Sequence, residues 1–136
     1  MAYTNSLDAT TRTTQRGIMN NPQEIINGMS KKNLLLQSKN DELLILSEKK
    51  AQAERAYNVA MATETLKLKE TGHPITIITT LCKGDKTVSD LKYALDVADG
   101  ILRACQESMR DIRSAIDTYR SILSWMKEEL QKSGIQ

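Results

Sequence analysis

The sequence predicts an all-α fold: a long antiparallel helical hairpin with a short helix at the bend, self-associating into a coiled coil or four-helix bundle. At 136 residues the chain is long enough for one domain with a modest core. Phe is absent and only two Pro occur, a composition typical of long helices packed side by side. Two helix-forming stretches are separated by a segment that contains Gly72, Pro74 and Gly84, and the second stretch has an unbroken heptad pattern. These observations predict two long helices joined by a bend.

Residues 1–29 are rich in Thr, Asn, Ser and Gln and contain few large apolar side chains. Such a segment buries too little apolar surface to offset the entropy of ordering, so we expect a flexible N-terminal arm. Within it, Pro22 favours the start of a short helical turn and Gly28 its end. The hairpin is then expected to occupy residues 30–136.

The first long helix is predicted over residues 30–71, because the stretch up to Glu70 contains neither Gly nor Pro and is rich in strong helix formers. Apolar residues follow a heptad spacing there, at Leu36, Leu43, Leu46, Ala53, Tyr57 and Ala60. Charged residues interrupt this pattern at Lys39, Lys50 and Glu64. The pattern therefore predicts a helix whose apolar seam is discontinuous.

The second long helix is predicted over residues 87–133, on a cleaner pattern. Thirteen consecutive a and d positions carry no charged residue: Val88, Leu91, Leu95, Ala98, Leu102, Cys105, Met109, Ile112, Ile116, Tyr119, Leu123, Met126 and Leu130. A sustained repeat of 3.5 residues predicts a left-handed coiled-coil seam.

A third row of the second helix predicts self-association. Its g positions are Ala94, Ile101, Ser108, Ala115, Ile122 and Glu129, four of which are apolar. A helix that is apolar at a, d and g contacts two neighbours, here the first helix and a second copy of the chain. We therefore expect a homodimer or higher oligomer with Ile101, Ala115 and Ile122 at the interface.

The bend is predicted over residues 72–86, with a structural task for each punctuating residue. Gly72 suits a left-handed helix cap, and Pro74 suits the first turn of a short helix that Gly84 ends. The sequence from Thr87 to Asp90 has the T-x-x-D form of a capping box for the second helix. The bend is therefore predicted to be a structured connection between the helices first and a partner contact second.

The short helix of the bend is expected to place Ile75, Ile78 and Cys82 on one face. A β-strand over "ITIITTL" is the alternative by propensity, although no partner strand is evident. A helix-turn-helix over "LCKGDKTVSDL" is disfavoured because its core positions would fall on charged residues. Ile75, Ile77 and Leu81 are candidates for contact with a partner, as is Trp125, which lies off the seam and is either an interface anchor or covered by the arm.

Enzymatic and metal functions are not expected. The pair His73 and Cys82 lacks a third residue to orient it, and Cys82 and Cys105 are expected to be free thiols. No phosphate-binding loop, dinucleotide fingerprint or metalloprotease sequence occurs. We therefore predict no catalytic residues, no metal and no cofactor.

Nucleic-acid binding is an alternative that the charge pattern does not favour. The candidate residues lie within one arc of the second helix: Arg103, Arg110, Arg113 and Arg120. Aspartates are interleaved with them and the net charge is only +2, so an exposed face with ion pairs is the simpler interpretation. No apolar run is long enough for a membrane span, and the first residues do not form a secretory signal, so we expect a soluble, cytoplasmic protein.

Residues 53–130 contain "AERAYNVAMATETLKLKETG", then "PITIITTLCKGDKTVSDLKYALDVAD", then an amphipathic helix. This stretch resembles a group of small uncharacterised phage and prophage helical-hairpin proteins. The most specific residues are Gly72, Pro74, Thr76, Ile78, Leu81, Lys83, Gly84, Asp85, Val88, Leu91 and Lys92. The resemblance implies a phage origin and a helical-hairpin fold, and it carries no established activity. A phage origin makes an adaptor or an inhibitor that binds a host or phage protein in the host-cell cytoplasm the leading hypothesis. The alternatives are a nucleic-acid-binding accessory of phage recombination or replication, and a structural virion component.

Overall fold

The computed structural model describes residues 21–134, which form three helices and no strand. Helix α1 spans Pro22–Glu70, α2 spans Ile75–Gly84 and α3 spans Lys86–Lys132. Contacts between α1 and α3 run in opposite chain directions, as they do in the two arms of a helical hairpin. The all-α prediction is confirmed for the described residues.

Helix α1 begins eight residues before the predicted start. The Asn21 Oδ1 atom accepts a hydrogen bond from the Gln23 backbone N–H at 3.0 Å, and Pro22 occupies the first turn, which does not require its missing N–H. Ile25 is fully buried. Residues 22–29 are therefore helical rather than part of a flexible arm, and Gly28 continues the helix instead of ending it. The rest of the predicted arm, residues 1–20, lies outside the described residues.

The C-terminus of α1 is closed at Gly72, as predicted. Gly72 has φ = +83°, its N–H bonds to the Lys69 carbonyl at 3.1 Å, and the His73 N–H bonds to the Leu68 carbonyl at 3.2 Å. This pair of bonds is the Schellman arrangement, which requires a left-handed residue at that position. The His73 ring lies against the same cap, with Nδ1 2.8 Å from the Thr71 hydroxyl. His73 thus contributes to a helix terminus.

Helix α2 begins directly after Pro74 and ends at Gly84. Ile78 and Cys82 are buried, with the Cys82 Sγ atom 3.4 Å from the Thr65 hydroxyl of α1. Ile75 does not share this buried face, because it lies in the first turn beside the bend and remains 79% exposed. The segment is helical, so the strand alternative was wrong.

Helix α3 begins at Lys86 and is capped by Asp85 rather than by Thr87. The Asp85 carboxylate accepts the Val88 N–H at 3.1 Å, and the Asp85 carbonyl accepts the Ser89 N–H at 2.8 Å. The predicted T-x-x-D capping box was wrong because Thr87 lies inside the first turn of the helix.

The seam of α3 follows the heptad prediction. Twelve of its thirteen residues are buried or half-buried, and Leu130, near the end of the helix, is 57% exposed. Between Met29 and Glu64 every seam position of α1 is half-buried, including the charged ones: Met29, Lys32, Leu36, Lys39, Leu43, Leu46, Lys50, Ala53, Tyr57, Ala60 and Glu64. The seam of α1 is therefore continuous in position and interrupted only in polarity.

Contacts divide the described chain into two compact units. In unit 1, residues 22–38 of α1 pack with residues 109–132 of α3, and the Tyr119 ring lies directly over Gly28. In unit 2, residues 39–108 contain α2 and the remaining parts of α1 and α3. Each unit buries its own apolar residues, which include Ile25 and Ile116 in unit 1 and Val88 and Leu102 in unit 2.

Candidate interaction surfaces

One side of unit 2 is held by ion pairs. The Lys50 Nζ atom of α1 lies 2.9 Å from Asp99 Oδ1 of α3, and the Arg103 Nε atom lies 3.0 Å from Asp99 Oδ2. Lys92 pairs with Asp96 at 3.2 Å, and its ammonium group lies 5.4 Å from the Tyr57 ring centroid. We call this side the ion-paired side. Lys50, Lys92 and Arg103 on this side thus all pair with aspartates of the same chain.

Asp99 is the electrostatic centre of the ion-paired side. The hydrogen bond from Lys50 lowers the pKa of its carboxyl group below the ordinary value of 3.8, and the positive charges of Arg103, Lys50 and Lys92 act in the same direction. Partial desolvation opposes the shift. Lys50 therefore occupies a position in the seam of α1 as a paired cation.

The opposite side of unit 2 is apolar on both helices. We define the apolar face as Ile45, Ala56, Val59, Ala94, Val97 and Ile101, all of which are exposed. These residues occupy heptad positions c and g, next to the seam on the side away from the Lys50–Asp99 pair. Because antiparallel helices bring their g positions together, the α1 and α3 rows lie side by side.

Two shallow grooves run along the apolar face. In the first, Leu46 and Lys49 of α1 lie opposite the stretch of α3 from Tyr93 to Ile101. In the second, Gln52, Ala56 and Val59 of α1 lie beside Leu91 of α3. Both helices thus contribute side chains to one continuous surface of unit 2.

The g-position pattern of α3 predicted Ala94 and Ile101 of this face. Ile101 is 49% exposed and belongs to it. Ala115 and Ile122, the other predicted interface residues, lie in unit 1 and are half-buried there. The α1 half was missed, although Ile45, Val59 and Leu66 recur at multiples of seven residues and carried the signal.

Trp125 lies in unit 1 and is 58% exposed. It borders a groove that Ile122 lines from the same helix, together with the polar side chains of Ser114, Asp117, Thr118 and Ser121. The Trp125 side chain is therefore accessible to a partner protein. The prediction that the N-terminal arm covers it concerns residues outside the described ones.

The three candidate contact residues of α2 are all exposed. Ile75 is the most exposed, and Ile77 and Leu81 are separated by one helical turn. Ile77 and Leu81 form a small exposed apolar patch on α2, beside the buried Ile78 and Cys82, and Ile75 lies apart from it in the first turn.

The four candidate arginines do not form a separate basic surface. Arg103 pairs with Asp99, and Arg120 lies 3.5 Å from Asp117. Arg110 also has an interaction partner, and Arg113 is exposed on the same helix. Pairing with aspartates reduces the charge that these residues would present to a phosphate backbone.

The groups with chemical reactivity are separate from one another. Cys82 and Cys105 are buried free thiols, and the Cys105 Sγ atom lies 3.7 Å from the Lys39 carbonyl oxygen. Within residues 21–134, no three His, Cys, Asp or Glu side chains are grouped to hold a metal ion. None of the helices in the described part of the chain is long and apolar enough to cross a membrane.

Comparisons with known proteins returned no matching family model, no similar curated protein and no similar solved structure.

Proposed function

We propose that this chain is a non-enzymatic protein-binding module that works as a homo-oligomeric helical bundle, with the apolar face of unit 2 covered by a second copy. The observation that carries the proposal is the contrast between the two sides of unit 2. On one side Lys50, Lys92 and Arg103 pair with aspartates of the same chain, and the other side exposes isoleucine and valine side chains on both helices. Burial of such side chains stabilises an association by about 25 cal/mol per Å² of apolar area.

A second copy is the occupant that this face fits best. Two helices that expose the same apolar side need two more helices to complete a four-helix bundle. A second copy supplies them with the same surface, because an interface around a two-fold axis is self-complementary. The charged side chains at the edge of the face include both signs, Glu42 and Lys49. A second copy therefore does not meet a uniform like charge.

Light scattering coupled to size-exclusion chromatography tests this proposal on the full chain. We expect a mass of about twice the 15.3 kDa chain at micromolar concentration. Ile101→Asp should weaken self-association by at least about a hundredfold, because each interface would then bury two uncompensated carboxylates. The matched control is Gln106→Asp, which adds the same charge at an exposed position on the ion-paired side.

The control should keep the mass of the unmodified chain, and circular dichroism should show the same helix content for both variants. A monomer for the unmodified chain, or equal weakening by both substitutions, would remove the basis of the proposal.

We further propose that the assembled module contacts a host or phage protein, as an adaptor or an inhibitor. The α2 patch and Trp125 support this part, since exposed Ile and Trp side chains are effective contact residues. A capture experiment from infected cells, repeated with Trp125→Ala and with Ile77→Asp, tests it. If neither substitution changes what is captured, these surfaces are not the contact sites.

A further inference from the structure

We propose that the two copies meet around a two-fold axis perpendicular to the helices, crossing α1 at residues 45–46 and α3 at Ile101. In this arrangement α1 lies antiparallel on α1 of the partner copy, and α3 lies antiparallel on α3. The inference rests on the proposed self-association and adds the geometry of its interface.

The charges on α1 fix the position of the axis along that helix. Glu42 and Lys49 both occupy g positions on the edge of the apolar face, seven residues apart. An axis midway between them brings Glu42 of each copy opposite Lys49 of the other, which forms two equivalent ion pairs. Glu42 also holds Lys39 of its own chain at 3.0 Å and has acceptor capacity left for a second cation. Ile45, 57% exposed, then lies at the centre of the α1–α1 contact.

The contacts between α1 and α3 show where the same axis crosses α3. Lys39 lies opposite Cys105, and Lys50 lies opposite Asp99. By interpolation, residues 45–46 of α1 are level with Ile101 of α3. The axis that the charges select therefore also passes through the exposed isoleucine at the centre of the α3 part of the face.

The residues around Ile101 fit a close antiparallel crossing of two α3 helices. Ala94 and Ser108 lie seven residues to either side of Ile101 on the same row, so each faces the other across the axis. In the neighbouring c row, Val97 of one copy lies nearest Ala104 of the other, one residue from the exact reflection at position 105. Small side chains at these positions let the helices approach until the central Ile101 side chains touch.

The competing geometry has its two-fold axis parallel to the helices. It would place α1 of one copy on α3 of the other, with Ile45 opposite Ile101, and it would leave the pairing of Glu42 with Lys49 unused. Both geometries bury the same apolar face, so they differ in which residues meet and not in dimer mass.

Cysteine cross-linking on the full chain separates the two geometries. A residue on a perpendicular axis meets its own copy, so Ile45→Cys and Ile101→Cys should each form a disulfide-linked dimer when oxidised alone. Under the parallel axis, only a mixture of the two variants should cross-link. The native thiols are buried, and Gln106→Cys on the ion-paired side is the control for random collision.

Charge reversal gives a second measurement. Glu42→Lys and Lys49→Glu should each raise the dimer dissociation constant by roughly three- to tenfold, and the double variant should restore it. Cross-linking only in the mixed sample, or no restoration in the double variant, would overturn the perpendicular axis while leaving the dimer in place. A monomeric unmodified chain would instead refute the proposed self-association.

Discussion

Two glycines inside the long helices provide a direct test of the packing. Glycine in a helix interior costs about 1 kcal/mol relative to alanine, so Gly→Ala should stabilise the protein wherever space allows. At Gly100, a new Cβ has no heavy atom of the described chain within 4 Å beyond its own helix backbone. At Gly28, the same Cβ would lie 3.0 Å from the Tyr119 Oη atom and 3.1 Å from its Cζ atom.

The two substitutions should therefore have different effects. Gly100→Ala should raise the free energy of unfolding by about 1 kcal/mol, which corresponds to roughly 3–5 °C in melting temperature for a chain of this size. Gly28→Ala gains the same helix propensity but must displace the Tyr119 ring, and overpacking of this kind costs about 1–3 kcal/mol. Its net effect should lie between zero and a loss of about 2 kcal/mol.

Thermal and urea unfolding followed by circular dichroism measure both changes, at one fixed protein concentration because self-association would shift the melting temperature. Gly28→Ala in a Tyr119→Leu background should recover part of the gain, since the ring is removed. Equal stabilisation by the two alanines would refute the close packing of Tyr119 on Gly28.

Two further predictions concern single side chains of unit 2. Asp85→Ala should lower the free energy of unfolding, measured by urea denaturation, by about 1 kcal/mol because it removes the cap on the Val88 N–H. Asp85→Asn should stay close to the unmodified chain, since Asn also caps this N–H. Equal losses in the two variants would mean that the cap does not stabilise the helix. Because the pKa of Asp99 is lowered on folding, its stabilising contribution is present above the ordinary carboxyl pKa of 3.8 and is lost as the pH falls through the folded value. The difference in melting temperature between the unmodified chain and Asp99→Asn should thus be seen at pH 7 and disappear in acid, and a difference independent of pH would contradict the ion pair with Lys50.

The heptad pattern of α3 made its buried face predictable from the sequence. Residues such as Leu102, Met109 and Ile116 are apolar, regularly spaced and free of competing signals, so local pattern and tertiary packing agree. The cap at Gly72 was predictable for the same reason, because a left-handed position strongly favours glycine.

The start of α1 was not predictable from local composition. Its polar residues and Gly28 are typical of a loop, but Ile25 is fully buried and Tyr119 packs on the glycine. Tyr119 is 91 positions away in the sequence, so the decisive contact is invisible to any local pattern. Tertiary packing here overrides helix propensity.

The charged seam of α1 was misleading for a related reason. Lys50 weakens the apolar pattern when α1 is considered alone, yet it is stabilised by Asp99 from α3. A pairing of this kind requires knowledge of which residue lies opposite. The α1 half of the apolar face was not predicted, because its c-position residues Ile45 and Val59 lie outside the a and d pattern that defines the seam.

The lysines on the α1 seam also affect the order of events during synthesis. The ribosome completes α1 62 residues before the end of α3, an interval of roughly 3–12 s at 5–20 residues per second. During that interval two nascent α1 helices on neighbouring ribosomes meet a barrier to coiling through their seams, because the pair would enclose the Lys50 ammonium groups without a carboxylate partner. Asp99 supplies that partner for Lys50 only once α3 has been made. The charged seam thus favours pairing within one chain over entanglement between unfinished chains.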